Sequence, residues 1–535
     1  MSLTAVEAAR SLAHALEETL HAIPDGSRGD AERALRRLQD VVLPRLEDAD
    51  APVLVVVGGS TGSGKSTLVN SLLGRNVSRA GAVRPTTRRP VLVCSPKARE
   101  WFMSDRVLPR LAKSEGSGGD SLDAITIAVE ETLWPAVGIV DAPDIDSVED
   151  ENRRLAAELL DGADLWVFVT TAARYADAVA WKHLEEAASR KLRVAIVLNR
   201  VPAGATQEIR EDLAALARRR GLGEVAIYTV EEIGAYLEEI GRDFEERAAI
   251  VRRSLSGAVA SSLEETTRAL EAARRRNREF EAAAGDIEQL VASYAREVSS
   301  SSSDDVLRGE VSARIAEVLG SWDMSKTVSR VFSGLSSRVM GALRGQAAPD
   351  VQVQRDLTGG LAQRLADQYH RAWGESLRRA RTVVDTSSFD ELLDVEAAEQ
   401  RARTVAQEWT REVTQIIRGQ AESSRVSGRM LAGGINVVTV SLMVTAFTMT
   451  GGLTGVEVGI AGASAALSQT ILEAYFGERT VRSLAEQARA ALERLAAESL
   501  SDVVAPVSAS LDRASDKVLI DKLAAAEERA REVLA

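Results

Sequence analysis

The chain has 535 residues, enough for two or more domains, and a 45% hydrophobic content that supports extensive cores. Its formal charge of −13 argues against broad nucleic-acid binding, which needs a basic face to neutralise phosphates. Cys94 is the sole cysteine beside four histidines, which excludes an internal disulfide and a Cys/His metal cluster.

Residues 1–50 read as two helices. Leu12, Leu16 and Leu20 recur at four-residue spacing, a Pro24-Asp25-Gly26 break follows, and Leu35, Leu38 and Val42 resume the pattern. Residues 1–20 are acidic and amphipathic and lack the basic start and apolar centre of a secretory signal, so a cytoplasmic location is expected. The two helices are expected to join a bundle formed by the C-terminal half, the alternative being a simple N-terminal cap.

Residues 51–245 alternate apolar runs with helical stretches. The runs are 53–57, 91–94, 136–141, 165–170, 194–199 and 225–228. Continuous apolar strands separated by helices predict a buried, mostly parallel sheet with helices on both faces. Residues 113–120 read as an exposed Gly/Ser-rich insertion. Cys94 lies within an apolar run and reads as a buried, inert thiol.

The first run leads into Gly58-Gly59-Ser60-Thr61-Gly62-Ser63-Gly64-Lys65-Ser66-Thr67, a full G-x-x-x-x-G-K-S pattern. Strand before and helix after are the context that a phosphate-binding loop requires. Glycines let backbone N–H groups turn toward phosphate oxygens, and the helix presents its positive end to the same anion. Gly59, Ser60, Thr61, Gly62, Ser63, Gly64, Lys65, Ser66 and Thr67 are therefore candidate nucleotide-binding residues. Lys65 is expected to reach the terminal phosphates and Ser66 to ligate Mg2+.

Three further groups follow. In Arg84-Pro85-Thr86-Thr87-Arg88-Arg89-Pro90, Thr87, with Thr86 as second choice, occupies the place of a switch threonine that completes the Mg2+ shell and orients water. The alternative is a basic turn bounded by prolines. Asp141, in Asp141-Ala142-Pro143-Asp144, ends an apolar strand and fits a carboxylate that reaches Mg2+. Asn199 and Arg200 end a later strand, where ligand groups gather at the carboxyl edge of such a sheet. The expected metal set is Ser66, Thr87 and Asp141, and the expected catalytic set is Lys65, Thr87 and Asp141.

Residues 246–535 are helical in pattern. Ile287, Val291, Tyr294 and Val298 form one stripe, and Leu484, Ala488, Leu492 and Leu495 another, as in helices buried against each other in a bundle. The expected divisions are a trunk over 246–429, a distinct segment over 430–476 and a returning helix over 477–535. Residues 430–456 carry no charge, a span longer than the roughly twenty apolar residues that cross a bilayer. Gly451 and Gly452 suit a hairpin turn, and Arg425, Arg429, Arg479 and Arg482 flank the segment where anionic headgroups would lie. A buried small-residue hairpin at the bundle core is the competing reading.

Taken together, these motifs resemble the bacterial dynamin-like GTPases, with a relation to Era/YfjP-type GTPases. Thr87-Arg88-Arg89-Pro90 before an apolar strand is similar to the T-R-R-P switch segment of dynamins. The motif match covers residues 51–205. The resemblance implies an α/β P-loop GTPase domain plus a long all-α trunk with a membrane-inserting tip at 430–476. It implies GTP as substrate, GDP as product and Mg2+ as cofactor. It further implies a membrane lipid surface as partner, self-association through the GTPase domain or a paralogous partner, and the inner face of the cell membrane as location.

Three departures qualify the resemblance. The family's D-x-P-G is Asp141-Ala142-Pro143-Asp144 here, which puts a carboxylate where a glycine would approach the γ-phosphate. The guanine-reading N/T-K-x-D is Asn199-Arg200-Val201-Pro202, and Pro202 cannot accept the hydrogen bonds of the guanine edge. Thr61-Gly62 replaces a Gln-Ser pair, while Ile145 follows the family habit of a hydrophobic residue at the water-orienting position. A catalytically weak scaffold beside an active paralogue is therefore one alternative. An ATP-using P-loop enzyme is another, ranked last because Ala142 stands where its glutamate belongs.

Overall fold

A computed structural model describes residues 3–48, 51–77, 90–115, 124–144, 150–189, 192–202, 204–300, 350–384, 394–423, 437–450, 472–473 and 476–534. The described residues divide into two compact units, Met1–Arg275 with Asp516–Ala535, and Arg276–Ser515.

The first unit contains eight strands: β1 (Val53–Gly59), β2 (Val91–Cys94), β3 (Ala112–Glu115), β4 (Ala124–Val129), β5 (Val137–Asp141), β6 (Leu165–Thr171), β7 (Arg193–Asn199) and β8 (Ala226–Tyr228). They form one sheet in the order β3-β4-β2-β5-β1-β6-β7-β8. Neighbours run parallel except at the β2–β5 pairing, which is antiparallel. The two-residue side-chain period of β1 sorts its residues between the sheet faces. Val53, Val55 and Val57 pack with Leu68, Val69, Leu237 and Ile240. Leu54 and Val56 pack on the other side with Phe102, Leu155 and Leu159. A strand buried on both faces needs this uninterrupted apolar run, and the fold is the expected α/β arrangement with helices on both sides.

Strand β3 departs from expectation. Ala112–Glu115 pairs with β4 at the sheet edge, where the sequence suggested the start of an exposed insertion. Its four residues are exposed or half-buried, so the edge position removes the alternating pattern by which a strand is recognised. The rest of that segment, 116–120, lies outside the described residues.

A helical layer completes this unit. Leu12 and Leu16 of the helix Leu3–Thr19 pack with Leu35 and Leu38, with Leu263 and Leu270 of the long helix Phe244–Ser299, and with Leu523 of the helix Lys517–Leu534. The start of β1 is fastened to this layer by an ion pair. The Arg45 guanidinium pairs with the Asp164 carboxylate and also donates to the Pro52 carbonyl at 2.9 Å. The same carboxylate accepts the Leu54 N–H at 2.8 Å. Burial pushes the Asp164 carboxyl up from its ordinary value, and Arg45 and the Leu54 amide oppose that shift.

The second unit is all-α. The later half of Phe244–Ser299 packs with Asp350–Ala380, Val395–Ser423, Val437–Thr450 and Glu478–Ala514 around one core. Two polar contacts fix register there. Trp409 Nε1 donates to the Ala488 carbonyl at 2.7 Å, and the hydroxyls of Tyr369 and Ser499 meet at 2.6 Å.

Most of 430–476 lies outside the described residues, including the glycines expected to turn a hairpin. Its described helix, Val437–Thr450, is rich in β-branched residues, which are weak helix formers. Packing of Val440, Met443 and Val444 in the core holds it in place. The Ser441 and Thr448 hydroxyls donate to carbonyls four residues back, at 2.8 and 2.7 Å, so these polar groups enter an apolar environment already satisfied. Among the described residues no helix is long and apolar enough to cross a membrane.

Candidate functional site

The site is built at the end of β1. The chain leaves Gly59, turns through Ser60 to Ser63, and enters the helix Lys65–Leu73 at Gly64. Gly64 caps that helix with φ +98°, a left-handed conformation that side chains with a Cβ rarely adopt. A Cβ there would stand 2.3 Å from Nδ2 of Asn199. Asn199 needs that space, because its Nδ2 donates to the Ser63 carbonyl at 2.9 Å and its Oδ1 accepts the Arg200 N–H at 2.8 Å. The loop is thus braced from β7, two strands away in the sheet.

Parallel pairing brings the remaining groups to the same edge. Asp141, at the end of β5 and fully buried, is in register with Val57 of β1. Thr171 and Asn199 are register partners at the ends of β6 and β7. Lys65, Ser66, Asp141, Asn199 and Arg200 therefore gather at one carboxyl edge, as expected of ligand groups in this class of sheet. Thr86, Thr87, Arg88, Arg89 and Ile145 lie outside the described residues.

Two contacts at this edge were not anticipated. Arg174, in the turn after β6, donates from Nη1 to the Thr61 carbonyl at 3.0 Å. Asp144, three residues beyond Asp141, forms an ion pair with Lys65, whose ammonium also donates to the Ser60 carbonyl at 3.3 Å. The strand-end rule that located Asn199 also points to the turn containing Arg174. The sequence showed Asp144 as a carboxylate at a glycine position but not which cation it would meet.

The loop chemistry fits a phosphate and a hard cation. The Ser63 hydroxyl is buried with no hydrogen-bond partner, and Lys65 is 5% exposed with its ammonium directed along the loop toward Ser60. Ser66 and Asp141 supply oxygen donors, the type that suits Mg2+. Among the described residues there is no group of three or more His, Cys, Asp or Glu that could hold a metal, so any ion here relies on hydroxyl and phosphate oxygens as well.

The sequence model of the dynamin family matches residues 55–108, a span that begins in β1 and contains the whole loop. The phosphate-loop segment is therefore similar to the dynamin family over that span. A curated relative described as a probable transmembrane GTPase, FZO-like and chloroplastic, from Arabidopsis thaliana, is 31% identical over 125 residues. That match spans 23% of this chain and 12% of the relative's length. Among solved structures, one described as an oligomerised bacterial dynamin pair providing a mechanism for long-range sensing and tethering of membranes is 10% identical with a TM-score of 0.42, covering 97% of this chain and 93% of its own. The LeoA bacterial dynamin GTPase from ETEC is 11% identical with a TM-score of 0.24, covering 99% and 97%.

Proposed function

We propose that the chain is a dynamin-like GTPase that couples Mg2+-dependent GTP hydrolysis to membrane binding or remodelling. The observation that carries this reading is that the loop 59–67 with Lys65, inside the segment that matches the dynamin family model, gathers with Asp141 and Asn199 at one sheet edge. The backbone amides of 60–67 bind phosphate oxygens, and the N-terminus of the helix Lys65–Leu73 adds its positive end. Lys65 offsets charge developing on the transferred phosphoryl group. Ser66, Asp141 and Thr87 would hold Mg2+, which when bound would offset the negative charge of the terminal phosphates. Thr87 also orients the attacking water. Asn199 fixes the loop from behind, and Arg200 lines the base side with it.

Hydrolysis is tested with Lys65→Ala, which is expected to lower nucleotide affinity and turnover by at least about a hundredfold. Turnover at the normal rate in that variant overturns the assignment. A GTP-against-ATP competition tests the base, because Pro202 supplies no side-chain acceptor for guanine.

The membrane part rests on the uncharged stretch 430–456 and its flanking arginines. The protein is proposed to act at the inner face of the cell membrane, self-associating through the GTPase domain or pairing with a paralogue. Co-sedimentation with anionic liposomes, with and without residues 430–476, tests this. Equal pelleting by both forms removes the membrane tip. A second reading, a slow or silent GTPase acting as partner subunit, is favoured by the Asp144–Lys65 pair. Purified protein that turns over only when its partner is added supports it.

A further inference from the structure

The ammonium of Lys65 is already engaged by this chain itself. Its side chain is 5% exposed, and it faces the carboxylate of Asp144 and the carbonyl of Ser60. An ammonium has three donors, so these two oxygens take most of its capacity. The carboxylate is itself only 18% exposed, close to the end of β5 and to the loop.

We propose that Asp144 is a specificity-determining residue that stands in for a terminal phosphate on Lys65 and so biases the site toward nucleoside diphosphate over triphosphate. The inference rests on the proposed nucleotide-binding function. A diphosphate binds the amides of the loop and the helix N-terminus, takes the remaining donor of Lys65 with its β-phosphate, and leaves the Asp144–Lys65 pair in place. A third phosphate seeks the same ammonium. It must displace the carboxylate, and it then lies close to a second anion in a poorly solvated cleft, where like-charge repulsion is little screened. Binding of the triphosphate therefore carries the free energy of breaking this pair, while binding of the diphosphate does not. In a protein lacking this carboxylate the triphosphate gains Lys65 without competition.

The test is equilibrium binding of GDP and of a non-hydrolysable GTP analogue, with Mg2+, to the full-length protein and to Asp144→Asn, Asp144→Gly and Asp144→Glu. Asp144→Asn and Asp144→Gly are expected to raise the triphosphate-to-diphosphate affinity ratio by about tenfold or more, with GDP affinity changed less than about threefold. Asp144→Glu, which keeps the charge, is expected to keep the wild-type ratio. GDP binding also reports that each variant is folded, and Asp144→Asn keeps the side-chain shape should the glycine variant fail to fold. An unchanged ratio in Asp144→Asn overturns the inference while leaving the nucleotide site intact. A rise in Asp144→Gly alone also overturns it, since bulk and not charge would then be responsible. Failure of the wild-type protein to bind either nucleotide overturns the proposed function and this inference with it.

Discussion

Strand β1 has a buried ion pair at each end, and the two differ in how completely they are satisfied. At its start, Arg45 and Asp164 are 6% and 1% exposed, and each has a second backbone partner, the Pro52 carbonyl and the Leu54 amide. At its far end, Lys65 meets Asp144, whose side chain is 18% exposed, and its other contact is a long one to the Ser60 carbonyl. The first pair joins the helical layer to the sheet and is closed to a ligand by its burial. The second lies on the loop where a phosphate is proposed to bind, and of its two members only Lys65 can exchange its partner for a phosphate. Two ion pairs at the ends of one strand can thus do different work: one fixes the fold, and the other, on the proposed function, holds a binding group in reserve.

The largest effect is expected at the first pair. Arg45→Met leaves the Asp164 carboxylate unpaired in the interior, and the expected loss of unfolding free energy is about 3–5 kcal/mol by chemical denaturation. The sign with pH follows from the carboxyl's raised value. A group whose folded-state value lies above its unfolded one contributes stability below the unfolded value and loses it as pH rises through the folded one. Without Arg45 that displacement grows, so the deficit of the variant is smaller near pH 4 than at pH 8. An equal deficit at both would mean that Asp164 is not the group left exposed by the substitution.

A smaller effect is expected at the loop that carries the second pair. Gly64→Ala imposes a side chain on a left-handed residue and drives its Cβ onto Asn199, so both the helix start and the brace from β7 must shift. The cost is about 1–3 kcal/mol of stability, with GDP affinity lowered by about tenfold or more. Asn199→Ala, combined with Gly64→Ala, should restore part of the stability, because the clash is then gone. Strict additivity of the two changes would show that they do not meet.

These two sites also show what a sequence discloses. The loop was legible because its constraint is local: successive residues must turn tightly around an anion, and only a particular glycine spacing permits it. Asp141 and Asn199 were legible because parallel strands deliver their ends to one edge. Arg45 and Asp164 were not, since nothing within a few residues of either announces a partner more than a hundred positions away. Strand β3 was hidden for a different reason. As a polar edge strand, Ala112–Glu115 needs neither an apolar face nor β-branched residues, while Ala124–Val129 beside it carries the alternation that would have revealed the pair. The sequence placed Asp144 as an anomaly, and only the folded arrangement of β5 against the loop gave it a cation.

The second pair is expected to contribute less to stability than the first. A double-mutant cycle with Lys65→Met and Asp144→Asn should give a coupling of about 1–2 kcal/mol in the nucleotide-free protein, below that of the Arg45–Asp164 pair because Asp144 keeps more access to water. A coupling near that of the Arg45–Asp164 pair would place both among structural elements and erase the distinction drawn between the ends of β1.

The smallest effect concerns Cys94, on β2 and fully buried. Burial pushes its thiol up from 9.0 to about 11, with Glu115 adding to the shift and Arg99 opposing it. The thiolate is the reactive form, so alkylation of the native protein at pH 8 should be undetectable on the time in which the guanidinium-unfolded chain reacts completely. The folded thiol holds its proton more tightly than the unfolded one. Its contribution to stability is therefore constant below about pH 9 and is lost as pH rises toward 11. Cys94→Ala should flatten that part of the alkaline stability profile while leaving nucleotide affinity unchanged, since β2 is separated from β1 by β5 and the thiol takes no part in the loop. Rapid labelling of native protein at pH 8 would mean that β2 opens locally, and would give the antiparallel junction of the sheet, rather than either end of β1, the lowest stability in the domain.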